Sequence, residues 1–272
     1  MRTEEINVCI MRVGGTNCDE ETRRAFLDLK VNANVYHLNE IVKKSLLSEA
    51  HILVIPGGFS YGDYVRAGAI LARKIISKLG KDLKRFIEDE KPILGICNGF
   101  QVLVEAGLLP GFNGDQFTPQ ASLATNVPTG YRCQWVFLRN ENRGNCVFTC
   151  KIPYGSVLRI PIAHAEGRFI FPKNLEDEYL KRLYDGDQIV FRYCDEAGEP
   201  ADGVYPINPN GSFHDIAGIC SPNGVIFGLM PHPERAYYGW QKPDWTREGK
   251  PPKYADGRLI FESVIDYILR NF

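Results

Sequence analysis

The chain has 272 residues, of which 44% are hydrophobic, and its formal net charge is −1. Such a chain can bury a large core, and without a block of Lys or Arg it is not expected to bind a polyanion. Its first residues lack the basic and then apolar pattern of a signal peptide, and no apolar stretch approaches the roughly 20 residues that cross a bilayer. We therefore expect a cytoplasmic protein that contacts neither nucleic acid nor membrane.

Strand and helix patterns alternate along the first 109 residues. The predicted strands are continuous apolar runs, as in a sheet covered on both faces, and they cover residues 7–13, 33–38, 51–58 and 92–97. A helical pattern follows each strand, at residues 18–29, 40–47, 66–79 with a continuation at 83–90, and 99–109. This alternation predicts a parallel sheet with helical crossovers.

After residue 109 the pattern changes to strands joined by turns. Strands are predicted at 131–138, 145–150, 157–164, 188–195, 214–220 and 225–232, and helices at 174–186 and 257–272. The turn Ser221-Pro222-Asn223-Gly224 predicts an antiparallel hairpin between the last two strands. The polar, Pro-rich segment 240–254 is expected to be a surface loop. We predict one α/β domain over residues 1–272, with an open, mostly parallel sheet flanked by helices and added antiparallel strands.

The chain contains eight cysteines. A disulfide framework is not expected, because the chain is long and has no secretory signal. No pair has C-x-x-C spacing, and the closest two, Cys146 and Cys150, lie in a segment with a strand pattern. Most of the cysteines are therefore predicted to be small buried side chains, and no metal site is predicted.

Cys97 is the exception, because it lies where a buried strand gives way to a helix, in Gly95-Ile96-Cys97-Asn98-Gly99. This is the spacing of a nucleophile elbow, in which small flanking residues let a strained strand-to-helix turn pass close to itself. The turn places the thiol at a helix N-terminus, whose N–H groups and dipole favour a thiolate. Alone, the pattern also fits a buried cysteine at the end of a core strand.

His232 and Glu234 follow another apolar strand, in Met230-Pro231-His232-Pro233-Glu234-Arg235. The two prolines favour an extended chain, in which residues two apart point to the same side. Glu234 is therefore predicted to hold one ring nitrogen of His232 while the other faces a thiol, as in Cys–His–carboxylate catalysis. A structural His–Glu pair explains this motif alone. Combined with an elbow cysteine, it predicts a triad of Cys97, His232 and Glu234.

Pro56-Gly57-Gly58 ends a third apolar strand. Glycines at this position leave backbone N–H groups free to face a ligand, at the sheet edge where ligands of parallel sheets bind. The N–H of Gly58 and that of Asn98 are predicted to form an oxyanion hole for the chemistry of Cys97. A plain turn is the alternative explanation of the two glycines.

Together these motifs resemble the class I, or triad, glutamine amidotransferases, in which PGG, G-x-C-x-G-x-Q and HPE occur in this order. PGGFSYGDYVRAGA, YRCQWV, AHAEGRF and SPNGVIFGLMPHPER further resemble glutaminase subunits that serve a synthase of purine biosynthesis, and the similarity runs from Asn17 to Glu234. The resemblance implies a flavodoxin-like fold and hydrolysis of glutamine, with Cys97 as nucleophile, His232 as base and Glu234 as its orienter. Segment 240–254 departs from the compact family pattern.

The same resemblance implies a glutamine pocket. It would include Gly57, Gln101 one helical turn after the nucleophile, and three residues of the AHAEGRF motif, His164, Glu166 and Arg168. A carboxylate and a guanidinium suit the two charged groups of a free amino acid. The alternative for AHAEGRF is a solvated loop.

The resemblance also implies a partner, the synthase subunit of the same enzyme, with or without a small accessory subunit. ATP and magnesium are expected on that partner, because this chain lacks the G-x-x-x-x-G-K-S/T phosphate loop, and no cofactor is expected here. Three alternatives remain: a glutaminase for a GMP, CTP or imidazole glycerol phosphate synthase, a non-catalytic binding module, and a γ-glutamyl hydrolase. The motif FSYGDYVRAGA disfavours the first, the intact Cys97 and His232 the second, and the missing signal the third.

Overall fold

One sheet of nine strands organises the computed structural model, which describes residues 1–112, 117–247 and 249–272. The strands are β1 (Asn7–Arg12), β2 (Asn32–His37), β3 (Ile52–Ile55), β4 (Ile93–Ile96), β5 (Ser122–Ala124), β6 (Arg132–Asn140), β7 (Val157–His164), β8 (Arg168–Ile170), β9 (Ile189–Cys194), β10 (Ile216–Cys220) and β11 (Ile226–Leu229). The helices are α1 (Asp19–Asp28), α2 (Leu38–Lys44), α3 (Ala69–Glu88), α4 (Asn98–Glu105), α5 (Glu176–Asp185) and α6 (Arg258–Asn271).

The strands pair in the order β2-β1-β3-β4-β11-β10-β9-β6-β7. Neighbours from β2 to β11 are parallel, and neighbours from β11 to β7 are antiparallel. β5 and β8 form a separate antiparallel pair. The predicted fold class, an α/β sheet flanked by helices with added antiparallel strands, is confirmed.

The core lies in the parallel half of this sheet. Every residue of β3, β4 and β11 is buried, and α4 is buried along its whole length. Phe26 of α1 meets Phe261 of α6 edge to face at 5.0 Å, so these two helices pack together. Six of the eight cysteines are buried, as the sequence predicts, and all eight are free thiols. No helix in the described residues is long and apolar enough to cross a membrane.

One predicted strand is wrong. Residues 145–150 form turns because side-chain hydrogen bonds organise this segment locally. The N–H of Cys146 donates to Asn142 Oδ1 at 2.9 Å, and Thr149 donates to the Cys146 carbonyl oxygen through both its N–H, at 3.1 Å, and its hydroxyl. Such bonds compete with a strand ladder. The two helical patterns at 66–79 and 83–90 are one continuous helix, α3.

The loop at 240–254 lies against the outer strand of the sheet, and residue 248 within it lies outside the described residues. Tyr238 and Tyr254 form a β-bridge at its base. Arg159 of β7, the edge strand, donates its side-chain Nη1 to Asp244 at 2.7 Å and its backbone N–H to Asp256 at 2.8 Å. The loop and the residues just after it therefore cover the edge of β7.

Gly99 shows how closely the turn after β4 packs against β3. An added Cβ at Gly99 would lie 1.8 Å from the Ile55 carbonyl oxygen, and one at Gly95 would lie 2.7 Å from the Gly99 oxygen. Both contacts are with backbone, which cannot move aside as a flexible side chain can. The two glycines of the elbow are therefore required by packing.

We expect Gly99→Ala to lower the free energy of unfolding by about 3 kcal/mol, because the extra methyl group forces β3 and α4 apart. Gly80→Ala is the matched control, because Gly80 lies inside α3 and nothing is within 4 Å of its added Cβ. That change should stabilise the protein by about 0.5–1 kcal/mol through helix propensity. Denaturant unfolding measures both. Equal stability of the two variants would contradict the close packing of the elbow.

Candidate active site

Three neighbouring strands deliver the predicted catalytic groups to one edge of the sheet. β3, β4 and β11 are parallel and adjacent, so their carboxyl ends lie side by side. β3 leads into Gly57 and Gly58, β4 into Cys97, and β11 into the turn that carries His232 and Glu234. The sheet order thus brings together three motifs that are far apart in sequence.

Cys97 has the strained backbone of a nucleophile elbow, with φ 51° and ψ −104°. A residue other than glycine in such a region costs of the order of 1–3 kcal/mol, which the surrounding structure must supply. The N–H of Cys97 donates to the Leu229 carbonyl oxygen at 2.8 Å and its Sγ lies 3.6 Å from the Ala163 carbonyl oxygen. The thiol therefore stands at the N-terminus of α4, held between β11 and β7.

His232 and Glu234 form the predicted pair. Nδ1 of His232 lies 2.6 Å from Oε1 of Glu234, and both residues are only 2% exposed. The pairing arises in a 3-10 turn (Pro233–Ala236) rather than in a fully extended segment. Among the described residues, Nε2 of His232 is buried without a hydrogen-bond partner. His232 and Cys97 line the same cavity.

Opposing effects set the charge of His232. Burial lowers the pKa of the imidazole, but the charges of Glu234 and Cys97 and the nearby thiols of Cys18 and Cys97 outweigh it and raise the pKa well above its usual value. A raised pKa favours the imidazolium. The arrangement therefore supports an imidazolium held by the side chain of Glu234 and near the sulfur of Cys97.

The Gly57–Gly58 peptide is oriented by the loop after β1. Its carbonyl oxygen accepts hydrogen bonds from the N–H groups of Asn17 and Cys18, both at 3.1 Å. In a trans peptide the N–H points opposite to the carbonyl, so the N–H of Gly58 faces away from that loop. Gly58 lines the same cavity as Cys97.

Asn98 contributes more than its backbone N–H, which has no helical acceptor because Asn98 begins α4. Its side-chain oxygen accepts from the N–H of Ser60 at 3.1 Å, and its side-chain nitrogen donates to Gln101 Oε1 at 2.9 Å. The side chain therefore ties the Gly57–Gly58 loop to the helix that carries the thiol. The sequence pattern around Cys97 does not by itself predict that the Asn98 side chain makes this link.

A cavity of about 330 Å³ opens above these groups. Besides Gly58, Cys97 and His232, the predicted residues that line it are Gln101, His164 and Glu166. Gln101 donates to the Glu166 carbonyl oxygen at 2.6 Å. Burial lowers the pKa of His164 to about 3, so that this ring is neutral.

Two predicted pocket residues are placed differently. Arg168 is not among the described residues that line the cavity, because its side chain runs beside Gly211, where an added Cβ would lie 3.5 Å from its Cδ. Gly57 lies behind the pocket instead, where an added Cβ would meet the His232 ring at 2.7 Å. The guanidinium that does line the cavity belongs to Arg235.

Sequence reasoning also missed Cys18, whose Sγ lies 3.8 Å from His232 Nδ1 and 3.2 Å from Arg235 Nη2. Burial raises the pKa of this thiol. Cys18, His232 and Glu234 offer ligand atoms within 4.8 Å of one another. However, ligands of a tetrahedral zinc ion lie about 3.3 Å apart, whereas His232 and Glu234 are at hydrogen-bond distance. The group therefore fits a catalytic pair beside a neutral thiol better than a metal site.

Comparison with known proteins identifies the family. Residues 5–268 match the CobB/CobQ-like glutamine amidotransferase domain. The chain belongs to this family. The phosphoribosylformylglycinamidine synthase subunit PurQ of Archaeoglobus fulgidus is 48% identical, over 98% of this chain and 99% of that protein. PurQ of Methanococcus maripaludis strain DSM 14266 is 41% identical, over 96% of both chains.

Solved structures agree with this family membership. A chain of PurLQS from Thermotoga maritima superposes with a TM-score of 0.71 and 31% identity, and the match covers 97% of this chain and 99% of that chain. A Thermoplasma acidophilum protein named for GMP synthase superposes with a TM-score of 0.53 and 16% identity, over 98% of this chain and 95% of that chain. At this lower identity the likeness shows the fold alone.

The pairing of His232 and Glu234 predicts a ranking of variants. Glu234→Gln keeps a hydrogen-bonding side chain but removes the charge, whereas His232→Ala removes the proton carrier. Loss of an orienting carboxylate costs less turnover than loss of the base in triad enzymes. We expect Glu234→Gln to retain at least about tenfold more glutaminase turnover than His232→Ala, as measured by glutamate release. The reverse order would mean that the two roles are assigned wrongly.

Proposed function

We propose that this chain is the glutaminase subunit of a phosphoribosylformylglycinamidine synthase. It hydrolyses glutamine to glutamate and ammonia, and a separate ATP-dependent synthase subunit uses the ammonia to make formylglycinamidine ribonucleotide in purine biosynthesis. The observation that carries the chemistry is a cavity lined by both Cys97 and His232, whose Nε2 has no hydrogen-bond partner among the described residues. Similarity to the PurQ subunits over nearly the whole chain supports the assignment to this synthase.

The first step is attack of the Cys97 thiolate on the side-chain amide carbon of glutamine. The carbonyl electrons move onto oxygen, and the N–H groups of Gly58 and Asn98 stabilise the negative charge. Hydrogen bonds from the N–H groups of Asn17 and Cys18 orient the Gly57–Gly58 peptide in this competent geometry, so a shift that breaks them would remove one oxyanion donor.

The second step expels ammonia. The imidazolium of His232 gives its proton to the amide nitrogen, the carbon–nitrogen bond breaks, and a glutamyl thioester on Cys97 remains. The neutral ring then takes a proton from water, which attacks the thioester and releases glutamate. Glu234 holds the ring orientation and stabilises its charged form throughout.

The amino-acid end of glutamine is assigned to the charged residues that line the cavity. Asp63 and Glu166 both line it, and burial together with the nearby Glu166 charge raises the pKa of Asp63. A bound ammonium group would relieve this repulsion. Arg235 takes the role expected of Arg168, because Arg235 lines the cavity.

ATP and magnesium belong to the synthase partner in this proposal, and the cytoplasm is the expected location. The Thermotoga maritima structure is named for a PurLQS complex, which supports two partners, the synthase subunit together with a small accessory protein. Glutamine is the substrate that this chain itself binds.

Cys97→Ser tests the proposal. The variant should lose at least about 10³-fold in glutamine hydrolysis, whereas the assembled enzyme should keep ammonia-dependent synthesis, which bypasses the thiol. A glutamine analogue with an electrophilic side chain should label Cys97. Cys133→Ser is the control, because it removes an exposed thiol that does not line the cavity. Normal glutamine turnover in Cys97→Ser would refute the assignment.

We further expect the isolated chain to be a slow glutaminase that the synthase activates. Hydrolysis without an acceptor would waste glutamine. We therefore expect contact with the synthase, at the interface between the two subunits, to shift the active site toward its competent geometry. A displaced Gly57–Gly58 peptide would lose an oxyanion donor, which is worth about 10²–10³ in rate.

Turnover is therefore compared for the chain alone and for the chain with synthase, nucleotide and acceptor substrate. We expect stimulation of about 10²-fold, and substitutions at Tyr61 or Arg66 should weaken it while Cys97 is still labelled in the complex. A substitution at Asp63, which lines the glutamine cavity, should weaken the labelling as well. Equal rates with and without the partner would refute the coupling.

A further inference from the structure

An apolar groove of about 690 Å³ lies outside the catalytic cavity, along the first turns of α3. Its floor contains Ala69, Ile70 and Ile76, and Val65 stands at one end with 72% of its surface exposed. The neighbouring Tyr64 is 89% exposed. Two consecutive large apolar side chains are therefore exposed beside the start of α3.

The rim of the groove is cationic. Arg73 and Lys74 line it, and neither has an acidic partner within 4 Å among the residues that the structure describes. Lys74 Nζ lies instead 4.8 Å from the centre of the Tyr61 ring. The one acid that lines the groove, Glu105, is held by two hydrogen bonds of 2.5 Å from Arg66. Two positive charges therefore remain available to an acidic ligand.

The groove is physically joined to the catalytic cavity. Arg66, on its rim, grips Glu105, the last residue of the helix that begins directly after Cys97. Next to Arg66, the N–H of Ala67 donates to Glu166 Oε2 at 3.1 Å, and Glu166 lines the cavity. A ligand that moves the start of α3 would therefore act on both the thiol-bearing helix and the glutamine pocket.

We propose that this groove is the docking site for an apolar segment of the synthase subunit that carries acidic side chains. This inference rests on the proposed function, which requires a partner that controls the cavity from outside. The helical part of the lining runs from Ala69 to Ser77 and extends for about 12 Å, enough for about two turns of an amphipathic helix laid into the groove. Its acidic side chains would pair with Arg73 and Lys74.

The test reverses the rim charges in the full chain with Arg73→Glu and Lys74→Glu together. The control pair is Arg24→Glu and Lys181→Glu, which changes the net charge equally at exposed positions of α1 and α5 outside the groove. Calorimetric titration with the synthase, with its accessory subunit present where there is one, gives the Kd. We expect the groove variant to bind at least about tenfold more weakly and the control to bind as wild type does, because like charges brought together oppose docking.

The possible outcomes separate the two proposals. Labelling of Cys97 by the glutamine-analogue electrophile in the free groove variant, at the wild-type rate, shows that the change has not unfolded the site. If wild type binds the synthase and the groove variant binds it equally well, the groove proposal is overturned while the proposed function stands. If wild type itself does not bind the synthase, the proposed function fails and the groove proposal fails with it.

Discussion

The adjacency of β3, β4 and β11 is the constraint on which the rest of the site depends. Each strand supplies one part of the chemistry at its carboxyl end, and none of the three parts can act alone. Parallel pairing fixes the distance between neighbouring strand ends, so the side chains need only short turns to meet. The strained backbone of Cys97 and the close contact between Gly99 and Ile55 are the local costs of bringing those turns together.

The buried His232–Glu234 pair carries a different cost, the burial of charge. A charged ring is unfavourable in a buried site, and only the carboxylate at 2.6 Å and the nearby thiolate make it favourable. Removing either partner would leave the other charge buried without compensation. The two side chains therefore stabilise each other as a unit.

The parts of the site that the sequence predicted are those with a local signature. The elbow around Cys97, the two-residue spacing of His232 and Glu234, and the parallel strands before them all follow from patterns within a few residues. Arg168 and Arg235 could not be ranked in this way, because which guanidinium enters the cavity depends on how β8 packs against the loop at Gly211. Cys18 likewise reaches His232 only through tertiary structure, and the 145–150 segment follows its side-chain bonds rather than its strand propensity.

The cover over β7 has a consequence for the behaviour of the whole molecule. An uncovered edge strand offers unpaired N–H and carbonyl groups to any strand that approaches it, and sheets can then grow from one molecule to the next. Asp256 occupies the N–H of Arg159 in the middle of β7, and Asp244 holds the guanidinium of the same residue. The loop, together with Asp256 just after it, thus keeps this part of β7 from pairing with a strand of another molecule.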